Sequence, residues 1–378
     1  MDTTKALALL GGLTPQRFMQ RHWQKKPLLV RAAMPGLRPV LDRAALFELA
    51  SRDEVESRLI VHSAAGWKMR RGPLPRRALP PLSQRDWTLL VQGVDLHLGA
   101  AQRLLAQFRF VPDARVDDLM VSWASEGGSV GPHFDSYDVF LLQAQGRRRW
   151  RIGRQRDLAF VEGVPLKVLA NFQPEQEYVL EPGDMLYLPP RYAHEGVALG
   201  ECQTYSIGFR APARGELARE LLQRVAEDAD ELAGAALYRD AGVAATETPG
   251  AVPPALQGFA SEAVQAALAD PLALNRALGE YLTEPKPNVW FDAGDAPDVL
   301  GALVLDRRSR MMHDMQHVFL NGESWRASGR DAAVMRRLAD ERRLGAAEVQ
   351  RASQDARELL RDWCQAGWVH AQGESHHE

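Results

Sequence analysis

The stretch "GPHFDSYDVFLLQAQGRRRW", Gly131–Trp150, decides the fold and points to a site. It begins with a histidine and an aspartate separated by one residue, continues as an apolar run, and ends close to three consecutive arginines. Because side chains on a β-strand alternate between its two faces, a strand that begins near His133 would place His133, Asp135 and Tyr137 on one face. The stretch therefore predicts a strand that carries polar side chains into a pocket.

An imidazole and a carboxylate on one face are two of the three ligands of the triad that binds non-haem Fe(II). The third ligand should be a histidine on a later, neighbouring strand, and His194 in "EPGDMLYLPPRYAHEG" is the candidate in the β-rich region downstream. Such a triad leaves open positions for O₂ and a bidentate cosubstrate. The same ligand types could hold zinc, or the three residues could be ordinary histidines and a turn aspartate. Iron is favoured because no general-base glutamate is obvious nearby.

The arginine block raises a second question, since one guanidinium falls on an apolar face. In "GRRRWRIG", Arg148 alternates with Trp150 and Ile152, whereas its two arginine neighbours point the other way. A guanidinium on an apolar face is costly unless it is paired. A dicarboxylate cosubstrate such as 2-oxoglutarate would supply the pair, because arginine binds carboxylates through two parallel hydrogen bonds. The alternative is that all the arginines lie solvated at a sheet edge.

The preceding stretch "DDLMVSWAS" predicts a strand with one apolar face and one small or polar face. On the polar face, Ser122 could donate a hydrogen bond to a cosubstrate carboxylate, and Asp118 could pair with a cationic group of a substrate. Either residue could instead be a buried polar residue whose hydrogen bonds are satisfied within the protein.

The bulk composition excludes several classes of protein. The 378 residues carry a formal net charge of −3, which does not mark the whole chain as a nucleic-acid binder. Two cysteines are too few for a disulfide framework. We find no run of about 18 apolar residues and no signal-peptide pattern. We therefore expect a cytoplasmic protein with no membrane association.

The chain reads as three regions. Thr14 is a predicted N-cap before Pro15, "PLLVRA" a short strand, and residues 43–60 a helical stretch. Short apolar runs separated by turn residues, from about Trp67 to Arg210, predict a β-barrel or sandwich. Helices follow, and from about Trp290 small helices beside two β-like pieces suggest a winged helix. Its basic helix "RDAAVMRRLADERRL" could contact nucleic acid, although its interleaved acids favour a solvated face.

Five stretches together resemble the JmjC-type ribosomal oxygenases, and in particular the bacterial branch that hydroxylates an arginine of a large-subunit ribosomal protein. They are "HWQKKPLLVRA", "DDLMVSW", "GGSVGPHFDSYDVFLLQAQGRRRWRIG", "LEPGDMLYLPPRYAHEG" and "TYSIGFRAP". The resemblance implies a mixed β and α fold. A JmjC domain with a double-stranded β-helix of the cupin or jelly-roll type would span residues 1–211. A helical dimerisation region would span 212–283 and a winged-helix-like domain 284–378.

The resemblance also implies roles for individual residues. His133, Asp135 and His194 would bind Fe(II), and Arg148 would bind 2-oxoglutarate. Four residues fall where the family recognises its substrate arginine: Asp118, Met120, Tyr137 and Ser206. In the implied reaction, O₂ oxidises 2-oxoglutarate to succinate and CO₂, and the arginine becomes 3-hydroxyarginine. Ala124 departs from relatives that carry a serine there, which leaves the second partner of the cosubstrate carboxylate undefined.

Two other hypotheses remain open from the sequence. The same oxygenase chemistry could act on a ribosomal histidine, a methyl-lysine or a tRNA base. Alternatively, the barrel could be a non-enzymatic sensor of the cupin type, attached to a winged helix that reads DNA.

Overall fold

The computed structural model describes residues 2–295, 297 and 299–372 of the chain. The chain divides into two compact units, the first ending at Ala211 and the second beginning at Pro212. Among the described residues, no helix combines the length and the apolar character needed to cross a membrane.

The first unit is built mainly of antiparallel strands with short helices before and between them. Its helices are α1 (Pro15–Arg21), α2 (Arg43–Leu49), α3 (Val94–His97) and α4 (Gly99–Leu105). Its strands are β1 (Leu28–Val30), β2 (Ser57–Ser63), β3 (Gly66–Arg71), β4 (Trp87–Val91), β5 (Val116–Ala124), β6 (Asp138–Gly153), β7 (Gln176–Leu180), β8 (Met185–Leu188) and β9 (Ala193–Phe209). Short 3₁₀ turns lie at Ala8–Leu10, Arg76–Ala78, Ala106–Phe108 and Asp113–Arg115.

The N-terminal predictions are confirmed except in one stretch. The Thr14 side chain accepts a hydrogen bond from the Arg17 backbone N–H, with Pro15 at the first position of α1. The helical prediction for residues 43–60 is wrong beyond Leu49. Residues 57–63 form β2, which pairs with β3 on one side and β4 on the other. Pairing on both sides outweighs the local helical pattern.

The nine strands form one sheet in the order β1-β8-β6-β9-β5-β4-β2-β3, with β7 also paired to β6. Strands β6 and β9 are 16 and 17 residues long, and their register shifts between Gln143 and Arg147. Gly146 lies at this shift with φ of 64°, and a Cβ there would approach the Glu201 carbonyl oxygen. Only glycine fits this position without strain. On one side of the shift β6 pairs with β8, and on the other side it pairs with β7.

The two faces of the sheet carry the side chains that alternation predicts. The outer face packs into the main hydrophobic core with α1 and α2, and it includes Leu119, Val121 and Trp123 of β5 and Tyr205, Ile207 and Phe209 of β9. Direct cross-strand pairs share a face, so the pairs Met120↔Ser206 and Ser122↔Thr204 lie on the inner face. The inner face is therefore where the predicted site residues meet.

One predicted strand start is wrong. Strand β6 begins at Asp138, whereas His133 forms only a single bridge with His194, and residues 134–137 follow an irregular path. The carbonyl of Asp135 accepts a hydrogen bond of 2.7 Å from the Arg191 N–H, in the turn before β9. This hydrogen bond holds residues 134–137 against the turn before β9, so they do not pair with a neighbouring strand.

The second unit contains helices and two small antiparallel sheets. Its helices are α5 (Arg214–Glu227), α6 (Ala229–Ala233), α7 (Pro254–Ala267), α8 (Pro271–Thr283), α9 (Gly329–Glu341), α10 (Ala346–Val349) and α11 (Gln354–Gln365). Its strands are β10 (Leu303–Leu305), β11 (Met311–His313), β12 (His317–Leu320), β13 (Glu323–Arg326), β14 (Arg343–Leu344) and β15 (Val369–Ala371). The sheets have the orders β14-β10-β15 and β11-β12-β13.

The C-terminal part of this unit has its own apolar core. Leu338 of α9, Leu360 and Trp363 of α11, and Leu303 of β10 are all buried in it. The boundary between the helical and winged-helix regions at residue 284 stays a prediction, and residues 373–378 of the predicted last domain lie outside the described residues.

Candidate metal and cosubstrate site

Three side chains from two separated segments converge on the inner face of the first unit. One ligand atom from each of His133, Asp135 and His194 can be chosen so that all three lie within 4.8 Å of one another. The two imidazole rings have centroids 4.3 Å apart, and Nε2 of His194 lies 3.7 Å from Oδ2 of Asp135. This spacing suits three ligands around one ion.

The hydrogen bonds of both histidines leave the correct nitrogen for a metal. Nδ1 of His133 lies 2.9 Å from the Gly131 carbonyl oxygen, and Nδ1 of His194 lies 3.0 Å from the Tyr192 carbonyl oxygen. A carbonyl only accepts, so Nδ1 carries the proton in each neutral ring. Nε2 then offers its lone pair, as metal-binding histidines do when their other nitrogen is fixed by a carbonyl.

Burial keeps one of these rings neutral. Burial and the neighbouring His133 together lower the pKa of His194 to about 4, although the Asp135 carboxylate opposes the change. His194 is therefore unprotonated at neutral pH, which is the form that binds metal.

The predicted cosubstrate arginine is buried with an incomplete set of partners. Arg148 is 5% exposed, and its Nη1 donates to the Ser122 hydroxyl at 3.1 Å. Its Nε and Nη2 are buried and have no hydrogen-bond partner among the described residues. A buried guanidinium with two free donors is costly. The arrangement fits a ligand carboxylate that accepts both bonds.

Trp150 lies between the arginine and the cluster of His133, Asp135 and His194. Its ring lies 5.8 Å from the Arg148 guanidinium and 5.8 Å from the His194 ring, measured between centres. Gly196 pairs with Trp150 across the strands, and a Cβ at Gly196 would come within 2.7 Å of the indole and 3.0 Å of Arg148 Cδ. Sequence reasoning missed this contact because it depends on the register between β6 and β9.

A second, acidic group of side chains surrounds Gly208 on the same face. A Cβ at Gly208 would lie 3.8 Å from both Asp118 Oδ1 and Tyr137 Cε2. Burial, together with the charges of Asp135, Asp118 and Asp117, raises the pKa of Tyr137, so its hydroxyl stays protonated. Asp118 Oδ2 accepts a bond of 2.8 Å from the Gly93 N–H, which holds the carboxylate in place.

The remaining predicted residues lie on the same face. Met120 and Ser206 form a direct cross-strand pair, so they are neighbours. Ala124 is buried and pairs with Thr88 of β4, a buried threonine that the sequence reasoning did not select. The signal for Thr88 was present, since it is the polar residue of the otherwise apolar strand "WTLLV".

Comparison with known proteins identifies both parts of the chain. Residues 103–217 match the family model described as JmjC domain, and residues 266–370 match the model described as ROXA-like winged helix. The predicted fold class is thereby confirmed: an antiparallel JmjC core of the jelly-roll type, helices, and a C-terminal winged helix.

Individual relatives extend the match over most of the chain. The ribosomal protein uL16 3-hydroxylase of Escherichia coli is 35% identical over 326 residues, which cover 81% of this chain and 84% of that protein. A probable ribosomal oxygenase of Haemophilus influenzae is 39% identical over 205 residues, covering 53% of this chain and 50% of that protein.

Solved structures agree with the sequence comparison. The structure of Escherichia coli YcfD matches with a TM-score of 0.83 at 31% identity, covering 95% of this chain and 98% of that one. YcfD in complex with cobalt and 2-oxoglutarate matches with a TM-score of 0.80 at 30% identity, covering 96% and 99%. This chain therefore belongs to the family of JmjC ribosomal oxygenases.

Proposed function

We propose that this protein is an Fe(II)- and 2-oxoglutarate-dependent oxygenase that hydroxylates an arginine at Cβ in a large-subunit ribosomal protein. The observation that carries the proposal is the pairing of two features on one sheet face. His133, Asp135 and His194 converge within 4.8 Å, and the buried Arg148 nearby keeps two donors without a partner. The Escherichia coli relative named for uL16 3-hydroxylation, and YcfD solved with cobalt and 2-oxoglutarate, support the same reaction class.

The proposed metal site needs three protein ligands and space for 2-oxoglutarate and O₂. His133, Asp135 and His194 would hold Fe(II) through two Nε2 atoms and a carboxylate oxygen. When bound, Fe(II) with 2-oxoglutarate and O₂ supplies the oxidising chemistry that converts a C–H bond into C–OH. The residues themselves fix the geometry, because the two histidines are linked by backbone hydrogen bonds.

Arg148 would position the cosubstrate. Its Nε and Nη2 would donate to the distal carboxylate of 2-oxoglutarate, while Ser122 orients the guanidinium through its hydrogen bond to Nη1. The Trp150 ring packs beside the guanidinium on that side. A fixed distal carboxylate directs the keto-acid end of the molecule toward the metal ligands.

The acidic group around Gly208 would receive the substrate arginine. Asp118 would pair with the guanidinium through a charge-assisted bond, while Met120 and Tyr137 line the alkyl part of the side chain. Ser206 lies beside Met120 and would donate or accept a further bond. A planar guanidinium matches this arrangement better than the ammonium of lysine does. This selectivity favours arginine over the methyl-lysine alternative.

Association into a homodimer through residues 212–283 is part of the proposal. None of the 14 residues of α7 is buried, and its Val264 is 61% exposed. Leu222 of α5 is 51% exposed. Apolar helix faces of this kind are suited to burial against a second copy. Light scattering of the variant Leu222→Glu/Val264→Glu should give a monomer mass, and an unchanged dimer mass would contradict the assignment. We place the reaction in the cytoplasm, where ribosomal proteins are made.

One experiment tests the proposed reaction. Purified protein with Fe(II), 2-oxoglutarate and O₂ is incubated with peptides of large-subunit ribosomal proteins, and the products are analysed by mass spectrometry. We expect a gain of one oxygen atom on an arginine, with stoichiometric succinate. Matched peptides with that arginine replaced by histidine or lysine should stay unmodified. Modification of those peptides at the same rate would redirect the proposal to another target.

A further inference from the structure

The residues that form the edge of the sheet have an unusual charge distribution. Between Ser57 and Arg85 the chain contains seven lysines and arginines and no aspartate or glutamate, although the whole chain carries 46 basic and 49 acidic residues. The seven are Arg58, Lys68, Arg70, Arg71, Arg76, Arg77 and Arg85. The segment covers strands β2 and β3 and the loop that leads to β4.

Most of these cations lack an acidic partner. Arg85 pairs with Glu126 at 2.8 Å, and Arg58 donates to the Gln92 side chain. The other five are exposed, and none forms an ion pair with a carboxylate of the described residues. We name these five residues the basic edge: Lys68, Arg70, Arg71, Arg76 and Arg77. Two of the five make other contacts. Arg70 donates a hydrogen bond to the Ala78 carbonyl oxygen, and the Arg76 guanidinium lies over the Phe47 ring.

The basic edge lies beside an apolar groove of about 590 Å³. Its walls include Leu59, Val61, Trp67, Met69, Leu79 and Pro80. The ring of Trp67 stacks on His62 with centroids 4.2 Å apart. Strand β3 is the last strand of the sheet, so one side of its backbone has no strand partner among the described residues.

The same strand reaches toward the metal ligands. A Cβ at Gly131 would lie 3.1 Å from the Trp67 ring, and Gly131 precedes His133 by two residues. The cross-strand pairs Ile60↔Met69 and Ile60↔Thr88 place Met69 on the inner face of the sheet, where Ser122 also lies. Trp67, Met69 and Arg71 therefore continue the face that carries the proposed active site. Lys68 and Arg70 pair with Val61 and Leu59 and lie on the opposite face, so the basic edge presents cations on both faces of this edge strand.

We propose that the basic edge and the Trp67–His62 stack form a binding surface for single-stranded RNA. Unpaired arginines and lysines attract phosphates without regard to sequence. An aromatic ring within a basic groove offers a platform on which a base can stack. Charges on β3 could also serve to protect the sheet edge against aggregation. That role does not require Arg76 and Arg77, which lie in the loop. It also does not explain why the whole segment lacks aspartate and glutamate.

Other occupants fit the charge less well. A second copy that paired its own β3 with this one would set arginines opposite arginines, which repel. A basic ribosomal protein segment would be repelled in the same way, and the acidic group around Asp118 is the part of the sheet face that suits it. The basic helix α9 of the second unit differs from the basic edge, because its Arg337 already pairs with Glu341 and Glu348.

The test measures binding of a fluorescein-labelled single-stranded RNA of about a dozen nucleotides by anisotropy, across a range of salt concentrations. The full-length variant Lys68→Gln/Arg70→Gln/Arg71→Gln should bind at least about tenfold more weakly than wild type. The slope of log affinity against log salt should fall by about 2, since each lost phosphate contact contributes about 0.7. The loop variant Arg76→Gln/Arg77→Gln, which leaves the cations of β3 in place, should lower the slope by about 1.4.

A matched control removes the same number of charges elsewhere. Arg326→Gln/Arg330→Gln/Arg336→Gln in the second unit should leave RNA affinity within about twofold of wild type. Peptide hydroxylation by the strand and loop variants should equal that of wild type, which shows that they are folded. Unchanged RNA binding in both the strand and the loop variants would overturn the proposal, as would an equal loss in the control. Competition by polyglutamate at the same charge concentration as RNA would also overturn it, because the surface would then be one for acidic proteins.

Discussion

His133 and His194 are joined by two reciprocal backbone hydrogen bonds, from His133 N to His194 O at 3.0 Å and from His194 N to His133 O at 2.8 Å. The bonds form an isolated antiparallel bridge between segments about 60 residues apart in sequence. Because the bridge uses only main-chain atoms, it survives replacement of either imidazole. The backbone thus sets the geometry of the proposed metal site, and the side chains supply its ligands.

Because the bridge between His133 and His194 is made of main-chain atoms, loss of a metal-ligand side chain should not unfold the first unit. His133→Ala, Asp135→Ala and His194→Ala should each abolish stoichiometric metal binding while the first unit stays folded, since a lost ligand leaves the bridge intact. Metal content by mass spectrometry after loading with Co(II), together with the circular dichroism spectrum, checks both parts. A variant that kept one equivalent of metal would remove its residue from the ligand set.

Arg148 should affect the cosubstrate without affecting the metal. Arg148→Ala removes two bonds to a carboxylate, worth roughly 3 kcal/mol in a buried site, so the KM for 2-oxoglutarate should rise roughly 100-fold. Arg148→Lys keeps the charge but loses the fork and should show a smaller rise. Steady-state kinetics with metal content measured in parallel make the comparison. An unchanged KM would place the carboxylate elsewhere.

Gly196 should be essential for the seating of Trp150. In Gly196→Ala the new methyl group would meet the indole at 2.7 Å, and both Trp150 and Arg148 would have to move. We expect a destabilisation of about 1–3 kcal/mol and a higher KM for 2-oxoglutarate. Gly258→Ala is the matched control, because nothing lies within 4 Å of a Cβ there. If the two variants had the same stability and the same KM, Gly196 would have no positioning role.

Asp118 should affect the protein substrate alone. Asp118→Asn retains an oxygen that can accept from the Gly93 N–H, yet it removes the negative charge. The ratio kcat/KM for an arginine peptide should fall roughly 30-fold, the loss of about 2 kcal/mol that a charged hydrogen bond contributes. The KM for 2-oxoglutarate should not change. A rise in the KM for 2-oxoglutarate together with the fall in kcat/KM would indicate a general disturbance of the inner face.

Asp306 should make the stability of the second unit depend on pH. Burial alone would raise its pKa, but hydrogen bonds from His370 and Arg308 hold the pKa well below the ordinary 3.8. A carboxylate with a lowered folded pKa adds stability that is fully present above 3.8 and is lost as the pH falls below it. At neutral pH, Asp306→Asn should cost roughly 3 kcal/mol, because it leaves buried partners unpaired.

Hydrogen exchange reports this unit separately from the first. Peptides that cover β10 and β15 should exchange faster in Asp306→Asn than in wild type at neutral pH. The difference in protection, corrected for the intrinsic rate at each pH, should shrink toward about pH 3. A difference that stays constant over this range would show that the carboxylate charge is not the source of the stability.

Sequence periodicity predicted much of the site because strands alternate strictly. The inner positions Asp118, Met120 and Ser122 and the buried Arg148 follow from period two alone. The convergence of His133 and Asp135 was predicted for an incorrect reason, since no continuous strand carries them. Their positions depend on the bridge to His194 and on the bond from Arg191 to the Asp135 carbonyl. Such contacts link distant segments and leave no local pattern.

Cross-strand register explains the other omissions. Thr88 lies beside Ala124, and Gly196 lies beside Trp150, only because β4 pairs with β5 and β6 pairs with β9 in a particular register. A one-residue slip would move each of these side chains to the opposite face. The helical prediction for residues 43–60 failed for a related reason, because β2 is stabilised by strands on both sides.

The most direct test of the central claim is an anomalous diffraction map from crystals grown with Mn(II) and 2-oxoglutarate. We expect one Mn(II) peak within coordination distance of His133 Nε2, Asp135 and His194 Nε2, with the distal carboxylate of 2-oxoglutarate on Arg148. A Mn(II) peak away from these three groups, or a cosubstrate carboxylate distant from Arg148, would contradict the account.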